Sequence, residues 1–330
     1  MAGRILIGIS GWRYEPWRGV FYPEKLPQHS ELKYASRMLP TIEINGSFYS
    51  LQSPASYAEW HDDTPEGFVF SVKAPKYITH MRRLKEIEAP LANFFANGLF
   101  ELKDKLGPIL WQFPPMMPFK PERFEPFFAL LPHDTEAAAA LAARHDHRVA
   151  GRVSLVPDRK RPLRHAIEIR HPSFVDPAFI ALLRRHRIAL VVADTAGKWP
   201  LLEDLTSDFV YLRLHGDKEL YASGYSDAAL SAWAERIRTW SEGGQVSDAR
   251  LASTKAAAPR AGRDVYCYFD NDVKVHAPYD AGTLMRKLGL ESALGDKGQP
   301  VWPEGWKAPV IRSGGEGFSK RAKARPAPSA

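Results

Sequence analysis

Several short segments of the chain carry polar or charged side chains in alternation with apolar ones. In the segment HAIEIRHPSF, residues 165–174, Glu168 and Arg170 alternate with two isoleucines. Successive side chains of a β-strand point to opposite faces, so both charges would lie on one face. The segment TIEIN repeats the arrangement with Glu43 and Asn45. Charged groups are costly to bury unless they are paired or used, and we therefore expect a polar site where such strands end.

The elements that would position these residues form an alternating β/α pattern. Eight segments have the composition and alternation of strands, and helical patterns separate most of them: 4–10, 41–45, 68–73, 107–113, 165–170, 188–194, 208–215 and 264–270. This order predicts an α/β fold, a somewhat irregular β/α (TIM-type) barrel. A doubly wound sheet is the alternative, but a dinucleotide-binding sheet would have a glycine-rich turn after its first strand, and GISGW is a weak match.

The segments between the strands define one barrel domain, residues 1–294, with two insertions. Helices are predicted at 31–39, 55–61, 91–106, 121–131, 176–186, 228–240 and 281–290. Residues 195–207 barely permit a parallel crossover, so no full helix is expected there. The alanine-rich and basic segment 134–162 is predicted to be an insertion, partly helical and partly loose. Residues 241–263 are predicted to be a flexible insertion, and the Pro-, Gly- and Lys/Arg-rich residues 295–330 a disordered tail.

Composition favours a soluble protein of a reducing compartment. The single cysteine, Cys267, excludes an intramolecular disulfide. No apolar run approaches the roughly 20 residues of a membrane span, and the first residues lack the layout of a signal peptide. We therefore expect a cytoplasmic protein without a membrane partner. The net charge of +7 permits a polyanionic partner, although a solvated basic surface is the simpler interpretation.

Active sites of β/α barrels lie at the carboxyl ends of the strands, which selects the candidate residues. The inward polar set at those ends also contains Ser10 and Asp270. The catalytic candidates are Glu43, Glu168, His215 and His80. The substrate-binding candidates are Trp12, Tyr14, Asn45, Tyr49, Lys73, Gln112, Arg170, His171, Arg213 and Asn271.

Two chemistries fit these residue types. Glu43, Glu168, Asp194 and His215 would suit a divalent metal (Mg, Mn or Zn) that activates water or polarises an oxygen.

Alternatively, the cations act directly. Arg170 and Arg213 would clamp a phosphate or carboxylate and Lys73 would add a point charge. Glu43 or Glu168 would then be the general base, and His215 or His80 the acid. A third interpretation is purely structural, in which Glu43, Glu168, Arg170 and Arg213 form a salt-bridged plug in the barrel.

The leading functional hypothesis is an enzyme acting on an anionic, phosphate-bearing substrate, a phosphoester hydrolase. An isomerase or lyase of a sugar or sugar phosphate is the enzymatic alternative. The non-catalytic alternative is a protein that binds nucleic acid or an anionic metabolite, with aromatic loops stacking on bases and basic segments holding phosphates.

The chain also resembles a known family through motifs that occur in order between about residues 4 and 290. They are ISGWRY, TIEIN.SFY, FVFSVKAPKYITH, LGPILWQFPP, AIEIRHPSF, YLRLHG and YFDND. The chain is similar to the YecE-like proteins, domain-of-unknown-function family seventy-two. The resemblance implies a β/α barrel but no established activity. Members of the family resemble barrel enzymes of the endonuclease IV and xylose isomerase type. That resemblance is an analogy of fold, which is weak support for a function. The chain departs from the family pattern at 134–162, at 241–263 and in the tail.

Overall fold

Eight parallel strands close into a barrel in the computed structural model, which describes residues 1–221, 223–272 and 274–294. Each strand pairs with the next one in chain order, and the eighth pairs with the first. The strands are β1 (Ile5–Ser10), β2 (Thr41–Ile44), β3 (Val69–Lys73), β4 (Leu106–Gln112), β5 (His165–Glu168), β6 (Ala189–Asp194), β7 (Phe209–Leu214) and β8 (Asp264–Phe269). The predicted TIM-type barrel is confirmed, and its strand boundaries lie within two residues of those predicted.

The alternation of side chains along each strand divides the core into two parts. Residues such as Ile7 and Ile9 of β1 point outward and pack against the surrounding helices. The opposite faces of the strands fill the barrel with apolar and aromatic side chains. Gly8 faces inward, and a Cβ atom there would lie 1.9 Å from the Thr41 carbonyl oxygen. Only glycine fits this close approach of β1 to β2.

The helices lie outside the barrel and follow the predicted order. They are α1 (Glu31–Met38), α2 (Gly46–Tyr49), α3 (Pro54–Asp63), α4 (Glu88–Ala96), α5 (Pro121–Leu130), α6 (Thr135–Ala142), α7 (Pro177–Arg185), α8 (Asp227–Ser241) and α9 (His276–Lys287). The closing helix therefore begins five residues before the predicted residue 281. Residues 195–207 contain no helix, as predicted.

The long helix predicted at 91–106 is wrong. Helix α4 ends at Ala96, and the chain continues as a 3₁₀ segment, Leu99–Lys105. Gly98, between them, has a φ of +112°, and a Cβ atom there would lie 2.5 Å from the Cα atom of Pro54. The periodic apolar pattern continues through this glycine, which explains why the sequence suggested one helix.

The two predicted insertions are packed onto the barrel. In 134–162, Asp134 caps α6 by accepting a hydrogen bond from the Ala137 amide, and α6 buries Leu141. Residues 242–263 contain no helix or strand, but two buried carboxylates hold them in place. Glu203 accepts from the Arg250 amide, and Asp204 from the amides of residues 252 and 253. The segment predicted to be flexible is thus anchored at its centre.

Other expectations concern the tail and membranes. The predicted disordered tail, residues 295–330, lies outside the described residues. Among the helices of the part that is described, none has both the length and the apolar character needed to cross a membrane.

Candidate active site

A cavity of about 710 Å³ opens at the carboxyl ends of the strands. Its floor contains Lys73 from the end of β3, Gln112 from the end of β4, and Arg170 and Asp270, which follow β5 and β8. Eight of the residues predicted from the sequence line this cavity: Trp12, Tyr14, Asn45, Tyr49, Lys73, His80, Gln112 and Arg170. Phe48, Tyr221 and Asp272 also line it. The strand ends therefore converge on one polar pocket, as expected of a barrel.

Beneath the cavity floor, Arg213 is fully buried and is bonded to three carboxylates. It donates to both oxygens of Glu43, at 3.1 and 2.9 Å, and to Glu168 and Asp270 at 2.8 Å each. The Ser10 hydroxyl lies 3.0 Å from the same guanidinium group. Arg213 does not line the cavity, so its predicted role in direct substrate binding requires access that this arrangement does not provide.

The two glutamates have saturated hydrogen-bonding surroundings. Glu43 accepts from the Ser10 hydroxyl at 2.6 Å and from the Tyr211 hydroxyl at 2.5 Å, in addition to Arg213. Glu168 accepts from Gln112 at 2.9 Å. Burial alone would raise the pKa of Glu168, but the nearby arginines outweigh it and hold that pKa well below its usual range. Both side chains are fully buried, and Glu168 is ionised at neutral pH.

The predicted metal ligands do not form a metal site in this arrangement. Glu43 and Glu168 are both bonded to Arg213, whose positive charge occupies the place between them. Asp194 instead accepts a hydrogen bond from the Tyr225 hydroxyl at 3.0 Å. Across residues 1–221, 223–272 and 274–294, no group of three or more His, Cys, Asp or Glu side chains could hold a metal ion.

Lys73 differs from its neighbours because its ammonium group has no hydrogen-bond or ion-pair partner among the described residues. The Nζ atom lies 4.4 Å from the centre of the Phe48 ring, a cation–π contact. Burial, helped by the positive charge of Arg213, lowers the pKa of Lys73 to about 8. The surrounding carboxylates oppose this shift without cancelling it.

Arg170 is held in place while keeping part of its guanidinium group at the cavity. Its Nε atom donates to Glu168 at 3.0 Å, and its Nη2 atom donates to the Tyr221 hydroxyl at 3.2 Å. The guanidinium carbon lies 3.8 Å from the ring centre of Trp199. These contacts leave guanidinium N–H groups without a partner among the described residues, and they can bind an anion.

Three groups on the cavity wall can exchange protons. Burial, with help from the charge of Lys73, lowers the pKa of His80 to about 4, so its imidazole is neutral at pH 7. Burial and the negative charge of Asp270 raise the pKa of Asp272 well above its usual range. Asp270 itself stays ionised, because Arg213 and His215 outweigh the effect of burial and lower its pKa. The neutral imidazole of His80 and the carboxyl group of Asp272, whose pKa is raised, therefore line the same cavity as Lys73.

Four predicted residues lie elsewhere. His215 is fully buried beside Asp270, with its Nδ1 atom 3.0 Å from that carboxylate but poorly aligned for a hydrogen bond. The His171 side chain accepts from the Ser173 amide. Asn271 is buried and donates to Asp280 at 2.8 Å, and Asp194 faces Tyr225. His171, Asn271 and Asp194 contribute to turns and loop anchoring rather than to the cavity.

Sequence reasoning missed several residues that line the cavity, among them Asp272, Phe48 and Tyr221. Asp272 had a readable signal, because it continues the period-two alternation of Asp270 past the end of β8. Phe48 lies in the short helix α2, and Tyr221 lies in the loop after β7. Neither has a pattern that predicts its direction.

Comparison with known proteins supports the same fold. The family model described as "Protein of unknown function DUF72" matches residues 6–304. The chain belongs to the DUF72 family. This confirms the YecE-like resemblance, since the two names denote one family.

The names of the following relatives state no activity. The UPF0759 protein YunF of Bacillus subtilis is 31% identical over 123 residues, which cover 36% of this chain and 43% of that protein. A DUF72 family protein of Thermotoga maritima has a TM-score of 0.64 at 24% identity and covers 87% of this chain and 99% of its own. A DUF72 family protein of Enterococcus faecalis has a TM-score of 0.61 at 16% identity, covering 87% and 96%. At these identities the likeness supports the fold alone.

Proposed function

We propose that this DUF72 protein is an enzyme that binds a small anionic metabolite in the cavity and converts it by acid–base chemistry at its own side chains. The observation that carries the proposal is the position of Lys73. The Lys73 side chain is largely buried, yet it lines the cavity without a hydrogen-bond or ion-pair partner among the described residues, and perturbed titratable groups of this kind are concentrated at functional sites. Arg170, held by Glu168 and Trp199 on the same cavity floor, supplies a second cation.

The reaction class that the cavity favours is isomerisation or bond cleavage of a sugar or sugar phosphate. Such reactions need a base and an acid close to a carbonyl or hydroxyl group, and His80, Asp272 and Lys73 offer these roles. Phosphoester hydrolysis, the leading hypothesis from the sequence, receives less support. The carboxylates that would bind a metal or activate water, Glu43 and Glu168, are buried and bonded to Arg213.

A ligand screen tests this proposal. Thermal-shift titrations with inorganic phosphate, dihydroxyacetone phosphate and the unphosphorylated sugar dihydroxyacetone should show stabilisation by the two anions and little by the neutral sugar. Lys73→Met and Arg170→Met should each remove that stabilisation. Lys33→Met is the matched control, because Lys33 pairs with Asp63 on the surface and does not line the cavity. Equal stabilisation in all four proteins would refute the anion pocket.

Nucleic acid is the second candidate partner, favoured by one feature of the cavity mouth. Tyr49 is 69% exposed, and the Lys76 ammonium lies 5.0 Å from the centre of its ring. An exposed aromatic ring beside a cation is a typical stacking platform for a base. Binding to labelled single-stranded DNA at two salt concentrations tests this. A Tyr49→Ala variant that binds as tightly as the wild type would exclude the platform.

A further inference from the structure

We propose that Lys73 is a nucleophile that forms an imine with the carbonyl carbon of the substrate. The inference rests on the proposed function, since it requires a small anionic carbonyl compound to enter the cavity. It goes further by assigning a covalent intermediate to one residue. The starting observation is geometric: the Lys73 side chain ends at the cavity floor, and no hydrogen bond or ion pair with the described residues ties its amine.

The surroundings of Lys73 favour the role of a nucleophile over that of a charge that only binds anions. An ammonium group that only binds anions works best when its neighbours keep it protonated. Here burial of the side chain and the like charge of Arg213 favour the neutral amine. The cation–π contact with the Phe48 ring, whose centre lies 4.4 Å from the Nζ atom, acts in the opposite direction. The carboxylates that might have paired with Lys73 are already bonded to Arg213. The site therefore favours loss of the proton from Lys73.

The reactive form of Lys73 is populated at neutral pH. With a pKa of about 8, roughly one amine in ten is neutral at pH 7. An ordinary lysine, with a pKa near 10.4, has roughly one neutral amine in a few thousand at that pH. The environment thus increases the fraction of neutral amine by a factor of roughly two hundred.

Groups that line the same cavity can carry out the proton transfers that imine formation requires. The nitrogen lone pair of neutral Lys73 attacks the carbonyl carbon, and a proton moves from nitrogen to the carbonyl oxygen to give a carbinolamine. The C–O bond then breaks, the hydroxyl group leaves as water after accepting a proton, and a protonated imine remains. We assign the acid of the second step to Asp272, which lines the same cavity and whose pKa is raised by burial and by the charge of Asp270. Neither oxidation nor reduction occurs.

The substrate class follows from the placement of the charges. Arg170 would hold a phosphate or carboxylate group, while Lys73 reaches the carbonyl carbon of the same molecule. A cavity of about 710 Å³ accommodates a molecule of three to six carbons bearing a phosphate group. We therefore expect a ketose phosphate or a 2-oxo acid, with carbon–carbon cleavage or isomerisation following from the electron-withdrawing imine.

Reductive trapping tests the assignment directly. Wild-type protein is incubated with dihydroxyacetone phosphate or with pyruvate, reduced with sodium cyanoborohydride, and analysed by intact mass and peptide mapping. The expected result is one adduct, located on Lys73, absent from Lys73→Met and still present on Lys73 in Lys76→Met. Lys76 is the matched control because its ammonium group also lines the cavity. The rate of trapping should rise with pH and reach half its limit near pH 8.

The outcomes separate this inference from the proposed function. A melting temperature for Lys73→Met at or above the wild-type value shows that the variant is folded. If both carbonyl compounds and phosphate stabilise the wild-type protein but no adduct forms on Lys73, the imine is refuted and the anion-binding pocket stands. If neither stabilisation nor an adduct is observed, both proposals fail. Adducts spread equally over surface lysines in wild type and Lys73→Met would also refute the imine.

Discussion

Replacing Lys73 by methionine should stabilise the protein, although the residue lines the candidate active site. The pKa of Lys73 is lowered from an ordinary value of 10.5 to about 8. While the amine is charged, this shift lowers the free energy of unfolding by about 3 kcal/mol. Water penetration and relaxation reduce this cost in real proteins, so the expected gain is roughly 1–3 kcal/mol at pH 7. Methionine has a similar length and keeps the contact with Phe48.

The gain should depend on pH in a direction that identifies its cause. Below pH 8 the amine is protonated in both the folded and the unfolded states, and the full penalty applies to the wild type. Between about pH 8 and 10.5 the unfolded state binds more protons than the folded state, so the free energy of unfolding of the wild type rises with pH. The difference between Lys73→Met and wild type should therefore shrink through this window.

Urea unfolding of both proteins at pH 7 and pH 10 measures the effect. Lys33→Met is the control, because its surface ammonium group pairs with Asp63 and should change stability by at most about 0.5 kcal/mol. A destabilised Lys73→Met protein, or a difference that does not change between the two pH values, would refute the reasoning. Either result would mean that the Lys73 ammonium has a partner in the folded protein.

Three further changes test the architecture around the site. Arg213→Met leaves three buried carboxylates without their shared cation and should cost about 3–5 kcal/mol in urea unfolding; a variant of wild-type stability would show that the network is dispensable. Gly8→Ala should cost at least about 2 kcal/mol in the same assay, because the new Cβ atom would meet the Thr41 carbonyl oxygen, and a neutral result would mean that β1 can shift. Asp204→Ala removes the acceptor for the amides of Ala252 and Ser253. The free energy of unfolding should fall by about 1–3 kcal/mol, and residues 242–263 should become more sensitive to limited proteolysis. Unchanged cleavage would show that other contacts hold this segment.

The sequence was informative about the fold because strand alternation and helix spacing are local properties. Buried, period-two segments such as residues 41–45 gave the strands to within two residues, and their order gave the barrel. The helix predicted at 91–106 failed because its apolar spacing continues through Gly98, which has a left-handed conformation and packs too closely against Pro54, in another part of the chain, to carry a side chain. The anchoring of 242–263 by Glu203 and Asp204 is likewise a long-range effect.

The residue types of the candidate site could be predicted from the sequence, but the position of each residue along the barrel axis could not. Alternation correctly placed Glu43 and Lys73 on the inward face, yet one lies below the cavity floor and the other on it. The reason is the register between strands: Glu43 lies opposite Ser71, so Lys73 is two residues, one inward layer, closer to the mouth. Register depends on how neighbouring strands are staggered around the closed barrel, and no single strand encodes it.

This difference in depth also gives the charges different roles. Below the cavity floor, Arg213 is bonded to Glu43 and Glu168, and it is also bonded to Asp270, which lies on the floor. Those bonds commit the carboxylates to Arg213, which leaves Lys73 in the layer above without a carboxylate of its own and next to a like charge. The buried network, which taken alone would be a structural plug, therefore provides the rigid floor of the cavity. Burial and the like charge of Arg213 weaken the hold of Lys73 on its proton, and the three carboxylates act in the opposite direction.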